Sequence, residues 1–145
     1  MKSVLFLSIL FVFSQFSPAV AGPADERFIR MLTSGDMREL KMAAKEIKSR
    51  EIKDPHVMDV VAEVLLQLHS EAWDAQIDSL SWAARALGGS RNGRYFSVLE
   101  EVNSGASNKK LRRHAKKALK ELSKSAGKKV EQYKKGMRKV KIKGH

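Results

Sequence analysis

An all-α fold of about three antiparallel helix pairs, followed by a basic C-terminal extension, is what this sequence predicts. Apolar residues recur at spacings of three and four along nearly the whole chain, the mark of helices that bury one face. Capping residues and Gly or Pro breaks divide those runs into short segments, so the helices are short and close neighbours in space. A small-residue motif also recurs three times, at intervals of 40 and 32 residues, a period that suits one helix pair per repeat.

The elements follow in order. Pro23 opens a short helix on which Phe28 and Leu32, four apart, share a face, and Ser34-Gly35 ends it. Asp36 is the expected cap of a second helix, with Glu39 three residues on to complete a capping box; its stripe is Met37, Leu40, Ala44 and Ile47. Asp54-Pro55 is the clearest start in the chain, a capping carboxylate followed by proline at the first helical position. Val57, Val61, Val64, Leu65 and Leu68, widened by Met58 and Ala62, make the third helix apolar around more than half its circumference. It should be central.

His69-Ser70-Glu71 reads as a corner at which Ser70 caps a fourth helix, with Trp73, Ile77, Leu80, Ala84 and Leu87 as its buried stripe. Gly88-Gly89-Ser90 and Asn92-Gly93 are turn signals. Tyr95, Leu99 and Val102 mark a fifth helix that stops near Ser104-Gly105, and Ser107 is the expected cap of a sixth carrying Leu111, Ala115, Ala118, Leu119 and Leu122. Beyond it Val130, Tyr133, Met137 and Val140 keep a 3, 4, 3 spacing, but Lys dominates and Gly127 and Gly136 interrupt. The expectation there is a marginal or partner-induced helix. No stretch alternates convincingly as a strand would.

The repeated motif is Ala43-x-x-x-Ile47, Ala83-x-x-x-Leu87 and Ala115-x-x-x-Leu119. A small Ala lets a neighbouring helix approach closely, and the large residue one turn on fills the gap beside it. The run from Ala83 to Leu119 is the strongest carrier: Ala86-Leu87-Gly88 as the turn, Gly93 to Leu99 as a first helix, and Leu111-Arg112-Arg113-His114-Ala115-Lys116-Lys117-Ala118-Leu119 as a second. Over about residues 24–123 the chain resembles the HEAT-repeat family, or the broader armadillo-like superhelix. The first unit departs from that pattern, with a short opening helix and Leu40 where the family often has Arg. The resemblance implies a short α-solenoid in which each pair buries its face on the next, and a binding platform rather than an active site.

The organisation this predicts is a signal peptide over 1–21, a helical repeat domain over 22–123 and a basic extension over 124–145. Met1-Lys2 gives a charged start, Val4 to Phe13 is apolar except for Ser8, and Ala19-Val20-Ala21 supplies small residues before a cut at Gly22, the pattern of export. The apolar run falls short of the ~20 residues that a spanning helix needs. The expected location is therefore the periplasm or the exterior. The chain has no Cys, which argues against disulfides, thiol catalysis, Cys-based metal sites and a lipoprotein anchor on Cys.

Charge is distributed unequally. Residues 22–108 carry 11 Lys and Arg against 14 Asp and Glu, whereas residues 109–145 carry 16 against 2. A cap on an open helix stack needs only a polar face; this density exceeds that, and such a field repels itself unless an anionic surface offsets it. The expected anion or partner contacts are Lys109, Arg112, Arg113, Lys116, Lys117, Lys120, Lys128, Lys129, Lys134 and Lys135. Trp82 lies off the stripe of its helix; it either packs on the neighbouring repeat or serves as an exposed groove anchor.

Catalytic signals are missing from the pattern. No nucleophile elbow, phosphate-cradling glycine loop or isolated carboxylate pair stands out. His56, Asp59 and Glu63 share a helix face but read as its solvated side, because metal sites on helices use paired His or Cys. The function expected is an exported, non-enzymatic scaffold that binds a protein partner, with its cationic tail on acidic lipid or cell-wall polymer. No cofactor or small-molecule substrate is expected. The alternative is nucleic-acid binding through the same basic region, with phosphate contacts by Arg112, Arg113 and the Lys cluster.

Overall fold

The computed structural model describes residues 22–145, and every regular element among them is a helix. The expected signal peptide lies outside the described residues. The helices are α1 (Pro23–Thr33), α2 (Met37–Ser49), α3 (Pro55–Leu68), α4 (Asp74–Gly88), α5 (Phe96–Gly105) and α6 (Lys109–Ser123). Single 3-10 turns at His69–Glu71 and Gly93–Tyr95 lead into α4 and α5.

Local chemistry fixes the boundaries. The Asp36 carboxylate accepts from Arg38 N at 2.7 Å and the Asp54 carboxylate from His56 N at 2.8 Å, each satisfying an otherwise unpaired N–H of a first turn. Gly35 turns the chain between α1 and α2 with φ of +82°, a conformation costly for any residue with a Cβ.

Two expected caps differ. Asn108, not Ser107, caps α6 by accepting from Lys110 N at 2.8 Å; the Ser107 hydroxyl instead donates to Ala72 O. Ser70 stays in the 3-10 turn, and α4 begins only after Trp73, whose N–H donates to the Gln76 side chain. That delay takes Trp73 out of the buried stripe: it is 61 % exposed, where the spacing predicts core.

The even-numbered helices pack side by side, with α4 between α2 and α6; among the odd-numbered ones α3 lies between α1 and α5. Successive helices α1–α2, α3–α4 and α5–α6 also pack on each other. Ala43, Ala83 and Ala115 are all fully buried. At the α4–α6 crossing Gly88 lies so close that a Cβ there would sit 2.8 Å from Ala118 Cα. Ten of the fourteen residues of α3 are buried, as its apolar girth demands.

Residues 124–145 form no helix. They run as a strap from the end of α6, past the start of α5 and across α3, to the end of α1. Tyr133 N donates to Arg94 O at 2.8 Å and Lys143 N to Thr33 O at 3.0 Å. Between them Gln67 Nε2 donates to Val140 O, and Gly136 N donates to the Glu63 carboxylate. Tyr133 and Ile142 are buried in the core, whereas Val130 and Met137 are exposed. The helical 3, 4, 3 reading of these residues is therefore corrected. Helix here would stack like charges four apart, Lys134 on Arg138 and Lys135 on Lys139, which is unfavourable. It would also leave the polar row of α3 without the strap's donors.

Candidate anion-binding surface

The outer side of α6 presents Arg113, Lys116, Lys117 and Lys120, all exposed. Its opposite side buries Leu111, Ala115, Ala118 and Leu122, and this packing holds the cations in fixed register. Arg113, Lys116, Lys117 and Lys120 line a shallow groove between α5 and α6, joined by Lys128 from the strap, with Phe96 and Leu119 as its apolar floor. Lys128 pairs with Glu100 and lies 5.2 Å over the Phe96 ring. Lys109, Arg112 and Lys110 border a second depression with Asn103.

The ten residues expected to contact anions thus divide by role. Arg112 is committed to the fold: its guanidinium donates to Ala106 O at 2.6 Å and Ser107 O at 3.2 Å, tying the α5–α6 turn. Lys128 is held by Glu100. Among the described residues Lys109, Arg113, Lys116, Lys117, Lys120, Lys129, Lys134 and Lys135 make no ion pair. Lys129, Lys134 and Lys135 are exposed on the strap, not on α6.

Trp82 is half-buried against the core, and its ring carries Lys45 Nζ at 5.2 Å and Arg85 Cζ at 4.6 Å, distances that suit cation–π attraction. Lys45 and Arg85 thereby extend the positive surface from α6 across α4 to α2. Sequence counts hide them, because residues 22–108 are net acidic; the spacing of Lys41, Lys45 and Lys48 on one face of α2 was the available signal. His114 reports the same field. Partial burial, then Arg85, Arg113, Lys117 and Lys110, hold its imidazole below the ordinary range, and its Nδ1 is buried without a hydrogen-bond partner.

The row His56, Asp59, Glu63 and Gln67 on α3 is not a solvated face. Asp59 accepts from Arg94 Nε at 3.1 Å and from the Tyr95 hydroxyl at 2.8 Å. Glu63, 2 % exposed, accepts from the Tyr133 hydroxyl at 2.8 Å. His56 Nδ1 accepts from Arg138 at 3.1 Å. The strap docks along this row: His56 and Glu63 accept from its donors, Gln67 donates to Val140 O, and Asp59 is held by Arg94 and Tyr95 beside it. Burial, with the Asp59 and Glu63 carboxylates beside them, pushes the Tyr95 and Tyr133 phenols upward; both stay protonated as donors.

Among the described residues no helix is long and apolar enough to cross a membrane, and no three His, Cys, Asp or Glu stand together as metal ligands. Compared with known proteins, the chain matches no family model, no curated protein and no solved structure.

Proposed function

We propose that this chain is an exported, non-enzymatic HEAT-like scaffold that binds a protein partner and contacts an anionic envelope component through its basic C-terminal region. The repeat reading is supported by the neighbour relations of the helices and by the shared burial of Ala43, Ala83 and Ala115. In a HEAT-like stack those small residues are the contacts through which each pair seats on the next.

One observation carries the anion contact: Arg113, Lys116, Lys117 and Lys120 are presented together by one packed helix, and none has a carboxylate partner among the described residues. Cations already fixed in register lose little conformational freedom on meeting a charged surface, and they gain the attraction that their mutual repulsion now opposes. The contact is assigned to α6 first and to the strap second, because part of the strap is engaged in the fold.

The test is co-sedimentation with phosphatidylcholine vesicles containing phosphatidylglycerol, and in parallel with polyphosphate and duplex DNA. Each lysine near an anionic surface contributes about 1 kcal/mol. The triple variant Lys116→Gln, Lys117→Gln, Lys120→Gln should therefore weaken vesicle binding by roughly 100-fold, the equivalent of about 3 kcal/mol. These side chains are exposed, so the fold remains. Unchanged vesicle binding sinks the proposal. Tight binding by duplex DNA alone moves the assignment to nucleic acid.

A further inference from the structure

The strap leaves the two sides of the molecule unequal. One side, along the polar row of α3, is filled by the chain itself between Gly93 and Thr33. The other, formed by α1, α2 and α4, keeps an open groove floored by Met31, Met42 and Trp82 and bordered by Arg27, Lys45, Glu46, Lys48 and Ser49. Met42 is 56 % exposed.

We infer that this groove docks an acidic amphipathic helix of a partner protein. The inference rests on the protein-binding half of the function proposed above and supplies the missing face and partner chemistry. The floor is of the kind that accepts a helix: Met side chains adapt to irregular apolar knobs, and a Trp provides a large rigid anchor. Charge selects the acid. Glu46, the one carboxylate bordering the groove, is saturated by Arg50 and Arg27, whose hydrogen bonds, Arg50's first, hold its pKa below the ordinary range. Lys48 is engaged by Glu121 at 2.8 Å. Lys45 and Arg85 have no carboxylate among the described residues and are parked over the Trp82 ring instead. The charge left uncompensated is positive.

Shape selects a helix over a bilayer. The site is a groove with the half-buried Trp82 in its lining and Lys45 and Arg85 over the indole ring, and a flat lipid surface does not enter a groove. A convex helix with apolar side chains three and four apart and carboxylates between them reaches both at once.

The experiment uses the full chain carrying Trp73→Phe, which leaves Trp82 as the sole indole of a protein with two. It is titrated with a synthetic helical peptide of Leu at i, i+3, i+4 and i+7 with Glu elsewhere, followed by Trp82 emission and by calorimetry. The control peptide has Lys in place of Glu. The expected result is saturable binding of the Glu peptide with a change in Trp82 emission, and at least about 10-fold weaker binding of the Lys peptide. Met42→Glu should weaken the Glu peptide at least about 10-fold while vesicle binding through α6 is kept. Equal binding of both peptides, indifference to Met42→Glu, or no heat and no emission change with the Glu peptide overturns the inference. Failure of the anion contact shows instead as lost vesicle binding in the wild-type chain, so the two failures are separable.

Discussion

The Tyr133 hydroxyl donates to Glu63 Oε2 at 2.8 Å, joining residues 70 positions apart in the chain. Glu63 also accepts from Gly136 N at 2.9 Å and from Gln67 Nε2 at 3.0 Å, and the Tyr133 oxygen itself accepts from Arg138 N at 2.9 Å. A buried carboxylate with three donors is satisfied; with one removed it bears an uncompensated desolvation cost. The strap is therefore part of the folded unit.

Tyr133→Phe keeps the ring and deletes only the hydroxyl, so it isolates this bond. It leaves Glu63 short of a donor and Arg138 N without its acceptor, at a cost of about 1–3 kcal/mol. Thermal denaturation should show a Tm lower by several degrees. Amide exchange should quicken at Tyr133 and Lys143, whose N–H groups pin the strap. An unaltered Tm, with exchange unaltered at both amides, contradicts a docked strap.

Gly93 lies where the strap begins its crossing. A Cβ there would overlap the Gly127 carbonyl oxygen, so the backbone at the crossing must shift to admit it. Gly93→Ala should destabilise the protein by about 1–3 kcal/mol, the usual range for overpacking. It should also release the bond from Gln132 Nε2 to Gly93 O, now 2.9 Å. Urea denaturation measures the first effect and exchange along the strap the second. A neutral substitution would show that the crossing is looser than described.

His114 sets a pH dependence. Its folded pKa lies below the ordinary 6.5, through burial first and then the surrounding cations. Above 6.5 the folded and unfolded states are both neutral at this site. As pH falls below 6.5 the unfolded chain takes up the proton before the folded protein does, so stability declines until the folded pKa is reached and is then flat. Glu46 and Asp78, whose pKa values are lowered from 4.5 and 3.8, act only at more acid pH. Urea midpoints measured downward from neutral pH should fall in the wild type and fall less in His114→Gln. Parallel curves contradict the assignment.

The helices were legible because their signals are local. Asp54-Pro55, Ser34-Gly35 and Gly88-Gly89 act on the backbone within a turn, and the stripes of α2, α3 and α6 repeat often enough to define a face. Trp73 was not legible, because a 3-10 turn intervenes after Leu68 and shifts the start of α4; spacing carries no information about such a delay. The extended path of the strap was not legible in the 3, 4, 3 spacing, because its geometry is set by distant acceptors, Glu63 and Thr33 O. One local signal was present. In Lys139-Val140-Lys141-Ile142-Lys143 every second residue is apolar, and the side chains alternate out and in accordingly, as extended chain on a core does. For the basic surface, α6 was plain in the sequence, while Lys45 and Arg85 were concealed by the acidic balance of their half of the chain.

Under the proposed function, cations fixed on α6, supplemented by the strap, form the anion-contacting surface. Backbone amide shifts of the labelled protein, titrated with polyphosphate at about 0.15 M salt, where screening acts beyond ~8 Å, test it most directly. Saturable shifts should centre on Arg113, Lys116, Lys117 and Lys120, with smaller ones along 128–143 and the Tyr133 and Lys143 amides still protected. Shifts absent at that salt, or confined to α1 and α3 while α6 stays silent, would contradict it.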